Sequence, residues 1–280
     1  MPNISMLVLT KNEENDLSDC LESCCFSNDI VVYDSNSTDK TREIALKYSA
    51  RFTTRPNQDF SQPFGGDESL HRNWGIHEIV YKNDFVFILD ADERISPELR
   101  ACLIRGNYLN TSFDAFKIKR YDYLAGRHLK HVQASAWYTR LIIPSKCNYT
   151  RLINPVLEVC SGNIGSLDGH IIHYPFSKGM SHWISKHNSY SSLEALEFQD
   201  KRRPLSLSLL RSALFSRNFH TRRHCQKDIY YNLPMRPLLK FLILYFFKLG
   251  FLDGSPGFKY ALLQSIYEYF ICLKSSSKIY

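Results

Sequence analysis

The chain has 280 residues, 44% of them hydrophobic and 22% charged, which excludes a disordered polymer and allows a full core without a structural metal. The net charge of +7 is uneven: residues 1–200 hold 21 Lys and Arg against 25 Asp and Glu, whereas residues 201–280 hold 14 against 3. A near-neutral body with a basic, aromatic-rich tail points to an anionic partner for the tail, either nucleic acid or an acidic membrane surface.

The first element is ISMLVLT (4–10), a continuous apolar run of the kind buried on both faces of a parallel sheet. ENDLSDCLESCC follows with Leu17, Leu21 and Cys24 at helical spacing. DIVVYD (29–34) is a second strand, and Ser37, Thr38 and Asp39 are candidate caps for the helix TREIALKYSA. RFTTR (51–55) is a short strand and ESLHRNWGIHEIV (68–80) a helix. DFVFILD (84–90) is a strand ending on acid, and Ser96-Pro97-Glu98 marks the next helix start. Alternating strands and helices predict a doubly wound α/β sheet, whose ligands bind outside the carboxyl ends of the strands. Beyond residue 110 the pattern shifts to short strands, and a helix begins near Gly179. The tail is helical in texture and broken by Pro204, Pro234, Pro237 and Pro256.

Polar clusters close three of these strands: Thr10-Lys11-Asn12-Glu13, Asp34-Ser35-Asn36-Ser37 and Asp90-Ala91-Asp92-Glu93. Two carboxylates one residue apart beyond a strand suit a hard divalent cation bridged to phosphate oxygens. The alternative is a solvated strand end. Asp34 suits either a nucleobase or ribose contact or a plain turn. Arg72 suits a diphosphate clamp or an i,i+4 pair with Glu68.

The ordered segments ISMLVLTKNEENDLSDCLES, DIVVYDSNSTDKTREIA, HRNWGI and FVFILDADERISPEL resemble glycosyltransferase family 2, in the subset of lipopolysaccharide-core and exopolysaccharide β-glycosyltransferases. NPVLEV (154–159), HIIHYPFSKGMSHWISKHNSYSSLEA (170–195) and the stretch 236–274 extend the resemblance over nearly the whole chain. It implies a GT-A fold, with a donor half over about 1–110 and an acceptor half over about 111–200, followed by a basic amphipathic helical region at 201–280. It also implies an inverting transfer from a nucleotide-sugar, usually a UDP-sugar, with Mn²⁺ or Mg²⁺. The acceptor would be a saccharide or lipid-linked saccharide at the cytoplasmic face of the bacterial inner membrane. By resemblance, Thr10 and Glu13 belong to the donor-nucleotide loop, Asp34 is the base-binding acid, and Arg72 lies on the diphosphate side. Asp90 and Asp92 form the DxD, with Asp92 as metal ligand. Many relatives carry a His-Glu pair where this chain has Leu157-Glu158, so only Glu158 carries over, as the general base. His173 is offered as a metal or phosphate partner against the alternative of a satisfied core histidine. His131 and Arg140 are further candidates for phosphate or acceptor contacts, and Trp137 and Trp183 for sugar stacking or core packing.

No apolar run reaches the ~20 residues of a spanning helix. LLKFLILYFFKLGFL (238–252) is interrupted by Lys240 and Lys248 and suits an interfacial helix. Helix-turn-helix, RNA-recognition and zinc patterns are absent, so membrane surface is preferred and nucleic acid is not expected as a partner. The 8 cysteines show no CxxC and are read as reduced thiols of a protein on the cytosolic side. Two alternatives are a sugar-1-phosphate nucleotidyltransferase, disfavoured because TKNEE lacks glycine, and a catalytically silent membrane-binding scaffold of the same fold.

Overall fold

The structure is a computed structural model that describes residues 3–56, 67–133, 135–150, 157–201, 206–216 and 219–275. The chain divides into two compact units, one formed by residues 1–128 and 135–178, the other by residues 129–134 and 179–280.

The first unit is a mixed α/β sheet flanked by helices. Its strands and helices are β1 (Ile4–Thr10), α1 (Leu17–Cys24), β2 (Asp29–Asp34), α2 (Thr41–Lys47), β3 (Arg51–Thr54), α3 (Glu68–His77), β4 (Phe85–Asp90), β5 (Glu93–Ile95), α4 (Pro97–Arg105), β6 (Ala115–Leu124), β7 (Arg127–His128), β8 (Ala136–Ile142), β9 (Cys147–Thr150), β10 (Leu157–Cys160) and β11 (Ile164–His173). The main sheet runs β3-β2-β1-β4-β8-β6-β11-β5, with β7 paired to β6, while β9 and β10 form a separate hairpin. β1 is parallel to both β2 and β4. The chain therefore winds outward from β1 to β3 and returns to place β4 on the other flank of β1. That reversal leaves a crevice outside the carboxyl ends of β1 and β4.

Alternation along each strand divides the core into two layers. Met6, Val8 and Leu89 pack with Leu17, Leu21 and Leu99 on one face. Leu7, Leu9 and Ile88 pack with Tyr33 and Ile76 on the other. Ser96 caps α4 by accepting from the Leu99 amide, with Pro97 in the first turn. Gly169, at φ +94°, lies where β11 crosses α4, and a Cβ there would meet the Leu99 backbone nitrogen at 2.4 Å.

The second unit contains α5 (Gly179–Lys201), α6 (Leu207–Phe215), α7 (Phe219–Asn232), α8 (Arg236–Leu242) and α9 (Gly254–Ser275). Asp253, 4% exposed, accepts from the amides of Lys130, His131 and Val132, which ties residues 129–134 into this unit. Arg236 and Glu268 form a buried pair at 2.9 Å. Trp183 is buried and stacks on His187, so it takes the core role rather than an open sugar platform. The compact unit begins at Gly179, ahead of the change in composition near residue 201, because α5 and α9 are joined by Tyr267–Glu194 and Lys274–Asn188 hydrogen bonds.

The all-thiol expectation is corrected here. Cys147 and Cys160 are disulfide-bonded across β9 and β10, while Cys20, Cys24, Cys25, Cys102, Cys225 and Cys272 are free. The antiparallel register sets the two residues opposite each other with Cα atoms 4.2 Å apart, and a spacing of 13 in sequence carries no motif that announces this.

Candidate active site

The site begins with the loops after β1 and β2. Thr10 lies beside Asp34 in the parallel register and donates its hydroxyl to Asp34 Oδ1 at 2.7 Å. The Ser37 amide donates to Oδ2 at 2.7 Å and the Ser37 hydroxyl to Oδ1 at 2.5 Å. Asp34 is only 2% exposed, and with three donors it fastens one loop to the other. Further lacing comes from Asn12 N–H to Ser37, Glu13 N–H to Thr41 and Glu14 N–H to Asp39. Asn12 and Asn36 sit in the left-handed region, at φ 53° and 62°, where asparagine is tolerated better than most residues.

Glu13 points inward. Its Oε1 accepts from Lys178 Nζ at 2.5 Å, and its Oε2 is buried with no hydrogen-bond partner among the described residues. Burial pushes its carboxyl up to about 8 against the pull of Lys178, and the neighbouring charge of Asp92 adds to the rise.

The next layer is a chain of alternating charges. Glu68 accepts from Arg72 at 2.8 Å, and Arg72 reaches Asp90 Oδ1 at 3.1 Å. Arg140 bridges Asp90 Oδ2 at 3.2 Å and Glu93 Oε1 at 2.7 Å. Arg120 lies 3.6 Å from Glu93 and 3.1 Å from Asp122. His173 then bridges Asp122 at 2.7 Å and Asp92 at 3.4 Å. The strand register explains the last links, because His173 pairs with Glu93 on one side and Asp122 on the other.

Burial opposes ionisation of Asp90, but Arg72 and Arg140 outweigh it and hold its carboxyl far below the usual range. Burial also opposes charge on His173, yet Asp92 and Asp122 lift the imidazolium to about 9. Glu93, fully buried, is raised by burial despite Arg140. With every member ionised, five carboxylates face three guanidiniums and one imidazolium. One negative charge is in excess, and the chain ends on Asp92, whose side chain is 25% exposed.

The structure thus brings Arg72, Asp90 and Asp92 together and adds Arg140 to them. Arg72 makes the i,i+4 pair with Glu68 and also grips the strand-end acid Asp90. Glu158 pairs with Tyr149 in the backbone register of β9 and β10, and its side chain lies outside the described residues. Tyr149 itself is anchored: Asn73 bonds its backbone N–H and C=O at 2.7 and 2.8 Å, and its ring lies 5.6 Å from the Arg72 guanidinium. His131 belongs to the second unit.

Sequence reading passed over Glu93, Arg120, Asp122, Lys178 and His71. His71 bonds Tyr33 Oη at 3.0 Å and Ser35 Oγ at 3.2 Å and stacks on the Tyr33 ring, which clamps α3 to the end of β2. Burial and the nearby charge of Arg72 lower its pKa to about 4. An unfolded histidine protonates near 6.5, whereas the folded one does so only near 4. The His71 contribution to stability is therefore fully present above pH 6.5 and falls as pH drops from 6.5 toward 4, by about 3 kcal/mol, while the raised carboxyl of Glu13 acts in the opposite direction. Urea titrations of wild type and His71→Gln across that range check it, since the stability difference between the two should change with pH by that amount. An unchanged difference contradicts the assignment.

The chain belongs to glycosyl transferase family 2, whose profile matches residues 5–166. It is a glycosyltransferase, and the GT-A-like mixed sheet accords with that class. It is 27% identical to the lipopolysaccharide core biosynthesis glycosyltransferase LpsC of Rhizobium meliloti (strain 1021), over 97% of this chain and 91% of that protein. It is 26% identical to the uncharacterized glycosyltransferase RP128 of Rickettsia prowazekii (strain Madrid E), over 80% and 78% of the two chains. Among solved structures, S. aureus TarS 1-349 aligns over 95% of this chain and 91% of its own, with 14% identity and a TM-score of 0.44. Glucosyl-3-phosphoglycerate synthase from Mycobacterium tuberculosis, in complex with Mn²⁺, UDP and glucosyl-3-phosphoglycerate, aligns over 44% of each chain, with 19% identity and a TM-score of 0.33.

Among the described residues, no trio of His, Cys, Asp or Glu is placed to hold a metal by protein ligands alone. Asp90 is committed to two arginines, which leaves Asp92 as the DxD carboxylate for a cation. One carboxylate completed by substrate phosphates and water is a donor set that Mg²⁺ or Mn²⁺ accepts. The residues present fit such an ion.

Proposed function

We propose that the protein transfers a sugar, with inversion, from a UDP-linked donor to a lipopolysaccharide-core or other lipid-linked saccharide. The observation that carries this reading is the alternating charge chain ending on Asp92 at the β1–β4 reversal. It presents a partly exposed carboxylate, paired with His173, beside a fixed Asp90–Arg72–Arg140 cluster. The kinship with LpsC supports a lipopolysaccharide-type acceptor.

In this reading Asp34, Thr10 and Glu13 shape the nucleotide loop, and Asp34 has capacity left for one donor from the base. Arg72 has donors beyond those given to Glu68 and Asp90, and in this reading they serve the diphosphate. Mn²⁺ or Mg²⁺ on Asp92, when bound, supplies Lewis-acid neutralisation of the departing diphosphate. Glu158 takes the proton of the acceptor hydroxyl as that oxygen bonds to the anomeric carbon. The bond from that carbon to the diphosphate oxygen breaks, and the nucleoside diphosphate leaves with its electron pair. Incubating the protein with UDP-, GDP- and dTDP-sugars, Mn²⁺ and core lipopolysaccharide tests this. Release of UDP coupled to sugar incorporation is expected, and no release from any donor would sink the reading.

We also place the protein at the cytoplasmic face of the bacterial inner membrane. Among the described residues no helix is long and apolar enough to cross a membrane. Phe247 is 82% exposed and Leu252 55% exposed, within a region of strong positive charge. The tail residues Arg202, Arg203 and Arg217 and the side chains of Arg223 and Lys227 lie outside the described residues. Exposed apolar side chains among basic ones suit attachment to anionic headgroups. Co-sedimentation with phosphatidylglycerol vesicles that weakens with salt is expected, and indifference to vesicle charge would contradict it.

A further inference from the structure

A cavity of 570 Å³ is lined by Asp16, Asp19, Arg94, Tyr123, Tyr174 and Phe176 among others, and by no member of the charge chain. It adjoins the DxD turn nonetheless. Arg94 donates to the carbonyls of Ala91 at 2.8 Å and Glu93 at 3.0 Å, and the Tyr174 amide donates to the Asp92 carbonyl at 3.0 Å.

The wall chemistry narrows the occupant. Arg94 is already neutralised by Asp16 at 3.2 Å and Asp19 at 3.6 Å, and the lining carboxylates Asp16, Asp19 and Glu22 outnumber Arg94 and Arg100, so the wall does not favour a polyanion. No trio among the described residues suits a metal ion. An apolar ligand would leave Asp16 unsatisfied: it is 5% exposed, and its Oδ2 has no hydrogen-bond partner among the described residues. The rings of Tyr123 and Tyr174 stand 5.8 Å apart at 47°. Carboxylate acceptors beside aromatic faces suit a neutral ligand with many hydroxyls and exposed C–H faces, and the volume lies in the range of small-molecule sites.

We infer that this cavity is a saccharide subsite that holds a pyranose unit of the acceptor. Tyr123, Tyr174 and Phe176 cover its C–H face, and Asp16, Asp19 and Glu22 accept from its hydroxyls. Only the word acceptor rests on the function proposed above; saccharide binding itself needs neither donor nor metal.

Saturation-transfer NMR on the full chain, without metal or nucleotide, tests it with the methyl glycosides of glucose, galactose and N-acetylglucosamine as probes. Transfer to ring C–H protons of at least one glycoside is expected. Ser177→Trp, which fills the exposed rim, and Tyr123→Ala should each weaken binding at least tenfold while UDP still binds with Mn²⁺. Asp19→Asn, at a side chain 74% exposed, gives a second route that spares the core and should also weaken binding. Absence of transfer to every probe, or undiminished binding in all three variants, overturns the proposal. Glycoside binding by a protein that fails to bind UDP would uphold the subsite and remove the donor reading instead.

Discussion

Asp92→Ala is expected to slow sugar transfer about a thousandfold and to remove the metal dependence of nucleotide binding. Asp92 is the partly exposed carboxylate at the end of the alternating chain, where it pairs with His173. Asp90, two residues earlier, is held by Arg72 and Arg140 and has no oxygen without a cationic partner. The variant should fold, because Asp92 is partly exposed and the links from Glu68 through to His173 remain. It should also lower the pKa of His173, one of whose two carboxylate partners is lost. Calorimetric titration of UDP with and without Mn²⁺ is the check. Wild-type protein should show tighter binding with the ion and Asp92→Ala should show none of that gain. A variant that binds Mn²⁺ and UDP like wild type would take Asp92 out of the metal role.

Glu158→Gln is expected to lower transfer by about 10²- to 10⁴-fold while nucleotide binding is unchanged. An amide of the same size keeps the shape but cannot accept the hydroxyl proton. The backbone of Glu158 is paired with Tyr149, and Tyr149 is bound to Asn73 and faces Arg72. The hairpin bearing the proposed base is thereby coupled to the helix bearing Arg72. Single-turnover measurements separate the two effects, since chemistry should slow with no change in donor affinity. Full activity in Glu158→Gln would assign the proton to another group.

The donor half was legible because its strands announce themselves twice. β1, β2 and β4 are apolar runs too continuous for a one-sided sheet, and each stops at a polar cluster. Thr10, Asp34 and Asp90 then fall on one edge because neighbouring parallel strands end together. The second half of the charge chain was hidden. AFKIKRYDYL alternates and reads only as a strand, yet Arg120 is only 17% and Asp122 7% exposed at the side chain. Those charges are tolerated inside because β11 brings His173 beside them, and strand pairing across fifty residues leaves no trace in local periodicity. Glu93 was visible as the last letter of the Asp90 cluster, but its burial depends on Arg140 from β8. The Cys147–Cys160 bond escaped for the same reason: register, not spacing, brings the two sulfurs together.

The proposed cation site is the Asp92 carboxylate completed by a donor diphosphate. Electron paramagnetic resonance of Mn²⁺ titrated into the wild-type protein reports this directly, because free aqueous Mn²⁺ gives a signal that fades on binding. With UDP present the free signal should fade beyond the loss that UDP alone causes in protein-free solution; without UDP it should persist at the same protein concentration. Equal Mn²⁺ binding in the two samples, or none in either, would contradict the account.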